Sequence, residues 1–218
     1  KIINQSNLGV SNNRNAILKE ATAEWVIFMD DDVTMIKDYW ETIEDNLVHH
    51  RGATSIRFNM ITDNVIRPIR QHGGGISTYR DVISYGVWGL LLNRERIIKK
   101  GLWFNPDFGP GARFYCGEDS MFSSRLMLTT GRNYLAKAVL GHVDQTESTW
   151  YKRHDKKFFI SQGAMYYHLG GPLSRWFFIK VMLKKHRPYI DIPMEEAQKY
   201  LKEGIRQAKE LKRELKKH

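Results

Sequence analysis

The sequence predicts an α/β fold, a mixed, mainly parallel sheet flanked by helices, with a helical extension at its C-terminus. Three observations carry that expectation. The run "EWVIFM" (24–29) is apolar almost throughout, the pattern of a strand buried on both faces, as in a parallel sheet. Segments of helical period stand before and after it, so that strand and helix alternate along the chain. Three aspartates, Asp30, Asp31 and Asp32, then follow the strand at its carboxyl end, the edge where open α/β sheets bind ligands.

In chain order, "KIINQ" reads as the end of a strand and "SNNRNAILKEATA" as a helix, capped by Ser11 or Asn12, with Ile17, Leu18 and Ala21 inward. The strand "EWVIFM" and the acids come next, and "IKDYWETIEDNLVHH" is a second helix. "TSIRFNMIT" alternates as a strand, and "HGGGIS" is a loop or a close approach of backbone. "YGVWGLLLNRERI" runs from strand into helix. "GEDSMFSSRLMLTTG" is a helix closed by Gly131, and "YLAKAVLGHV" a late strand with His142 just past its end. Residues 1–150 form the α/β domain on this reading, and residues 151–218 the helical extension. The last helix opens after Pro193, with Glu195 and Glu196 in its first turn and lysines in its last, matching the helix dipole. Ala197, Leu201, Ile205, Ala208, Leu211 and Leu215 recur along it at helical spacing. Such a stripe docks on the domain or a partner, or rests on an anionic membrane.

Composition narrows the function. At 218 residues and 42% hydrophobic, the chain can bury one sizeable core. It carries 34 Lys+Arg against 24 Asp+Glu, a net +10 that attracts polyanions such as nucleic acid, anionic lipid or phosphorylated substrates. Much of the excess is C-terminal. The lone Cys116 excludes a disulfide framework and is expected to be a packed thiol. No apolar run approaches the roughly 20 residues that span a bilayer. The expected setting is cytoplasmic, with peripheral contact on the inner face of the plasma membrane.

Three adjacent carboxylates repel one another unless a cation neutralises them. Along an extended backbone Asp30 and Asp32 share one face and Asp31 takes the other, so an Asp-x-Asp pair can address one magnesium or manganese ion and, through it, a diphosphate. The plain alternative is a solvated acidic turn that caps the next helix. Upstream, "NLGVSNNRN" sets Asn7, Gly9, Arg14 and Asn15 at a strand-to-helix turn suited to an anion. Downstream, Glu118 and Asp119 open a helix after a Gly/Pro-rich loop, as dipole partners or as groups for general-base work. His142 offers a nitrogen ligand or is a structural histidine.

In order and spacing these motifs resemble the family 2 glycosyltransferases of the GT-A fold, which use nucleotide sugars to build bacterial polysaccharides and glycolipids. The pattern NxG-x4-RN, an apolar strand ending in DxD, GED on an apolar helix and a late strand ending in His runs from Asn7 to His142. The resemblance implies a donor site formed by Asn7, Gly9, Arg14, Asp30 and Asp31, and a manganese or magnesium site formed by Asp30, Asp32 and His142. It implies Asp119 as the base that deprotonates the acceptor hydroxyl, with Glu118 beside it. The implied reaction is an inverting, metal-assisted transfer from a nucleotide-diphosphate sugar, with UDP the expected nucleotide, to a hydroxyl of a saccharide or lipid-linked saccharide. Val33 stands where many members carry a further acid. The two strand-and-helix units that open the family, roughly 60 residues, precede Lys1 in the family pattern, so the chain is expected to be a piece of a longer polypeptide.

Two other classes are compatible with parts of the pattern. Clustered aspartates with a histidine also serve metal-dependent phosphodiesterases and nucleases. No basic stripe interleaved with aromatics lies near the acids, so no nucleic-acid partner is expected. A GT-A-like binding or scaffold domain without activity is the other. Trp103, Phe104, Phe108, Tyr115 and Trp150 either line an acceptor sugar site or belong to the core.

Overall fold

The computed structural model describes residues 2–3, 6, 8–64, 69–78, 81, 85–145, 154–169, 179–180, 183–184, 190 and 192–214. They fall into two compact units. One comprises Arg14–Phe104 and Phe122–Thr149, the other Lys1–Asn13, Asn105–Met121 and Trp150–His218.

The first unit is built on a sheet. Its strands are β1 (Trp25–Ile27), β2 (Val33–Met35), β3 (Ser55–Ile61), β4 (Gly75–Ile76), β5 (Leu90–Asn93) and β6 (Asn133–Val143). The spatial order is β1-β5-β3-β6-β2, with β4 also on β6. The α/β class holds, but the mainly parallel sheet does not. Among the named strands only β3 and β6 run parallel; β1–β5, β3–β5, β2–β6 and β4–β6 are antiparallel. An apolar run reports burial on both faces and carries no information about a neighbour's direction. Here β5 inserts between β1 and β3 and runs against both.

The interior follows from strand chemistry. Val26 and Phe28 pack with Leu18, Leu90, Leu92, Ile97, Phe104, Phe122 and Leu126. Phe104 stacks on Phe122 at 4.0 Å between centroids and takes Phe28 edge-on at 5.5 Å. Each such side chain contributes about 1.5–3 kcal/mol by leaving water. The alternation in β3 sends Ile56, Phe58 and Met60 into a second cluster with Ile43, Leu91, Ala136 and Leu140. The polar positions that alternate with them, Ser55, Arg57 and Asn59, are buried too. They are hydrogen-bonded there, Ser55 to Asn133, Arg57 to the Gly86 carbonyl and Ser123, and Asn59 to the carbonyls of His72 and Lys137. Bonding of this kind is what makes buried polar groups tolerable.

Helices α1 (Val10–Glu20), α2 (Tyr39–His49), α3 (Arg94–Lys99) and α4 (Glu118–Thr129) fall where periodicity puts them. Details differ. Ser11 lies inside α1 and donates to the Phe108 carbonyl at 2.7 Å, so it is not the cap. The buried positions of α1 are Ser11, Arg14 and Leu18, while Ile17 is 41% exposed because it sits a residue's turn away from that stripe. Gly131 does not adopt the positive φ of a glycine helix end. "HGGGIS" contains the short β4. His142 lies within β6, opposite Thr34 and Ile61, and not beyond its end.

The second unit holds α5 (Lys156–Leu169) and α6 (Met194–Glu214), which pack on each other. Ala197, Leu201, Gly204 and Ala208 of α6 are buried, Ile205 and Leu211 half-buried, and Leu215 lies outside the described residues. The helices cross at two glycines. A Cβ on Gly163 would run into the Leu201 carbonyl, and one on Gly204 into the Ile160 carbonyl. No described helix is long and apolar enough to cross a membrane.

Candidate active site

In the sheet unit, the acidic run does not continue β1 in an extended line. Val33 N–H donates to the Asp30 carbonyl at 3.2 Å, so the aspartates turn the chain back into β2, a strand the sequence does not announce. The turn removes the strict alternation expected of Asp30 and Asp32. Asp30 faces Arg14, with 4.0 Å between guanidinium and carboxylate. Arg14 is itself 6% exposed and lies over the Phe104 ring at 5.4 Å. A guanidinium held by a ring and a carboxylate is pre-organised. Asp31 is exposed and Asp32 half-buried.

Asp32 has an unusual environment. Its Oδ1 is shielded from solvent and has no hydrogen-bond partner. Burial, then the charges of Asp31 and Asp144, push its carboxyl above the usual range, against the pull of its own backbone N–H. A buried acceptor without a donor is costly, and a cation is one partner that removes the cost. The main chain here is pinned to the end of β6, where Asp144 N–H donates to the Asp32 carbonyl at 2.8 Å.

His142 reaches this edge from β6. Its Nε2 meets Asp63 Oδ2 at 3.0 Å, although the Asp63 side chain is 98% exposed. Asp63 and Asp144 were not legible as site residues. They stand 31 and more residues from the aspartate run in sequence and reach it only through strand register. Among the described residues no group of three or more His, Cys, Asp and Glu is arranged as a metal cage. The metal ligands expected from sequence, Asp30, Asp32 and His142, are thus not gathered into such a group.

The helical unit holds the other candidates. Gly9 has φ +108°, and Val10 N–H donates to the Pro110 carbonyl at 3.3 Å, so the start of α1 is laid on the Gly/Pro-rich loop. Asn7 lies outside the described residues. Glu118 is 4% exposed and Asp119 half-buried in the first turn of α4. Gly117 precedes them with φ +110°, and a Cβ there would press on the Met165 side chain at 3.0–3.2 Å. Only glycine meets both conditions without strain.

Helix α5 fixes this turn. Tyr115 N–H donates to Ser161 Oγ at 2.8 Å, and Gln162 Nε2 to Cys116 Sγ at 3.6 Å. Burial pushes the Cys116 thiol up to about 12, so it is the packed, un-ionised thiol expected. Ser161, Gln162 and Met165 were missed as supports because nothing local links "ISQGAMYYH" to "GED". Of the aromatic candidates, Phe104 and Phe108 are core, Trp103 packs partly buried on the core, Tyr115 is half-buried and Trp150 lies outside the described residues.

The sequence pattern of Glycosyl transferase family 2 matches residues 1–116, more than half of the 218. The chain belongs to glycosyl transferase family 2. This family 2 chain is similar in structure to S. aureus TarS 1–349, at 14% identity and TM-score 0.57, over 93% of this chain and 52% of that one. Against TarS in complex with UDP-GlcNAc the values are 15% and 0.64, over 88% and 59%. With the UDP complex they are 14% and 0.62, over 88% and 57%. The likeness is one of fold and supports the GT-A-like class. The chain spans just over half the length of TarS 1–349. No curated protein matches it.

Proposed function

We propose that this chain transfers a glycosyl group from a UDP-sugar to a hydroxyl of a saccharide or lipid-linked saccharide, with inversion at the anomeric carbon. Membership in glycosyl transferase family 2 supports the class, and the UDP and UDP-GlcNAc complexes of TarS favour the nucleotide. The observation that carries the reading is the half-buried Asp32 carboxylate at a sheet edge, with one oxygen shielded from solvent and unpartnered.

On this reading Arg14 and Asp30, with Gly9, Asn7 and Asp31, serve the nucleotide side of the donor. Asp32, with Asp30 and His142, would hold manganese or magnesium. Such ions bind through one or two carboxylates plus substrate phosphates, so the lack of an all-protein cage among the described residues is compatible with them. The metal would supply charge stabilisation on the departing diphosphate. Asp119 takes the proton of the acceptor hydroxyl, the oxygen forms the bond to the anomeric carbon, and the bond to the diphosphate breaks. Glu118 orients the acceptor. The basic C-terminal region draws the chain to anionic lipid.

Calorimetric titration of UDP, with and without manganese, against the chain and its Asp32→Ala variant tests this. Manganese-dependent binding that the variant loses is expected. Binding of UDP that ignores both metal and variant would overturn the metal assignment, and no binding of UDP would overturn the donor.

A further inference from the structure

Among the described residues, buried side-chain atoms without a hydrogen-bond partner occur in two places. One is Asp32 Oδ1; the other comprises both ring nitrogens of His72 and the hydroxyl of Tyr85. Native proteins leave few such groups, and each asks for an explanation. Tyr85 is 8% exposed, and the His72 ring meets it edge-on at 5.4 Å.

The second place is built, and the strand that clamps it, β3, runs on toward the sheet edge of the first. His72 is clamped through its main chain, its N–H donating to Asn59 Oδ1 at 2.9 Å and its carbonyl accepting from Asn59 Nδ2 at 3.0 Å. Asn59 stands two residues before Ile61, which is in register with His142. Tyr85 precedes Trp88, whose bridge to Phe28 sets it two residues before Asp30. Arg57 and Arg70 lie over the Tyr85 ring at 5.6 and 6.0 Å. Arg57 is held by the Gly86 carbonyl and Ser123. The framework around both rings is therefore fixed; the Tyr85 hydroxyl has no partner, and the His72 nitrogens have none in hydrogen-bond geometry, with the Phe58 carbonyl near enough only to act on one of them.

We propose that His72 and Tyr85 form the subsite for hydroxyls of the sugar carried by the donor; the assignment rests on the UDP-sugar reading above. The chemistry matches. A neutral imidazole offers one donor and one acceptor, and a phenol offers both, which suits hydroxyls that also donate and accept. Burial and then the Arg57 charge hold His72 below the ordinary imidazole range and so keep it neutral, although Asp81 and the Phe58 carbonyl pull the other way. Neighbouring guanidiniums disfavour an imidazolium here. A site whose polar groups hydrogen-bond a substrate hydroxyl rejects analogues lacking it, so these residues would set donor specificity.

The test compares UDP with UDP-GlcNAc, UDP-glucose and UDP-galactose in manganese, using the chain and its Tyr85→Phe and His72→Leu variants. At least one UDP-sugar is expected to lose about tenfold in affinity in each variant, the worth of one or two hydrogen bonds, while UDP itself stays within about twofold. An equal loss for UDP and every UDP-sugar, or no loss for any, would overturn the subsite. A chain that binds no UDP fails the donor reading instead, and denaturant midpoints then decide the present one. A hydroxyl waiting for a ligand makes Tyr85→Phe neutral or stabilising without ligand. A lowered midpoint would show that a water or protein group already satisfies it, and would overturn the proposal.

Discussion

His72 shows how one residue couples the fold to pH. Its folded pKa lies below the ordinary 6.5, so the unfolded chain binds the proton more readily. The stability this neutral ring contributes is therefore complete above about pH 6.5 and falls away as the pH drops toward and through the folded value, with a slope of at most about 1.4 kcal/mol per pH unit. Denaturation curves between pH 5 and 7.5 should show this decline, and His72→Leu should lessen it. Cys116 makes the opposite kind of statement. With its thiol pushed up to about 12, it has almost no thiolate near neutrality. Ellman's reagent should leave it unreacted in the folded chain and titrate it fully in denaturant. Rapid reaction of the native protein would mean that the Tyr115–Gly117 turn opens away from α5. Neither environment is legible in sequence, because both are made by residues distant in the chain: Asn59 and Arg57 for His72, Ser161 and Gln162 for Cys116.

At the level of elements, the glycines where α5 and α6 cross give the sharpest expectation. Alanine is the better helix former by about 1 kcal/mol, yet at Gly163 or Gly204 its methyl meets the backbone of the facing helix. Overpacking of this kind costs about 1–3 kcal/mol. Each Gly→Ala variant should therefore unfold at lower denaturant, whereas Lys209→Ala on the exposed face of α6 should change stability by less than about 0.5 kcal/mol. What sequence revealed here follows physical range. The stripe of α6, the apolar run of β1 and the helix after "GED" are local patterns of period 3.6 or uninterrupted burial, and all three appear. The direction of β5, the existence of β2 and the burial of the polar face of β3 depend on partners elsewhere in the chain. "VTM" is too short to announce a strand, and it becomes one because β6 runs long enough to pair with it. The site divides in the same way. Its acids stand out as motifs, while Asp63, Asp144 and the α5 residues behind Gly117 come from register and packing.

Over the whole molecule, charge is unevenly placed. Residues 1–150 hold 17 Lys+Arg and 17 Asp+Glu, and residues 151–218 hold 17 and 7, so the entire net +10 lies in the C-terminal portion. A neutral sheet-bearing portion and a basic C-terminal one should behave differently toward anionic surfaces. Sedimentation with phosphatidylglycerol vesicles should carry the chain down at low salt. Raising the salt to about 0.5 M, where the screening length falls below about 5 Å, should release it, and neutral vesicles should not bind it. Sedimentation that salt does not reverse would point to apolar insertion instead of charge. The crossing of α5 and α6 bears on how variants of such a chain tolerate change. In a saturation library scored for folding, positions 163 and 204 should appear as two rows where little besides glycine survives, a signature easily mistaken for catalysis in residues assigned no part in it. Conversely, a single added methyl at Gly204 is a small chemical tool for loosening the C-terminal helix from a position on a helix that carries no candidate site side chain.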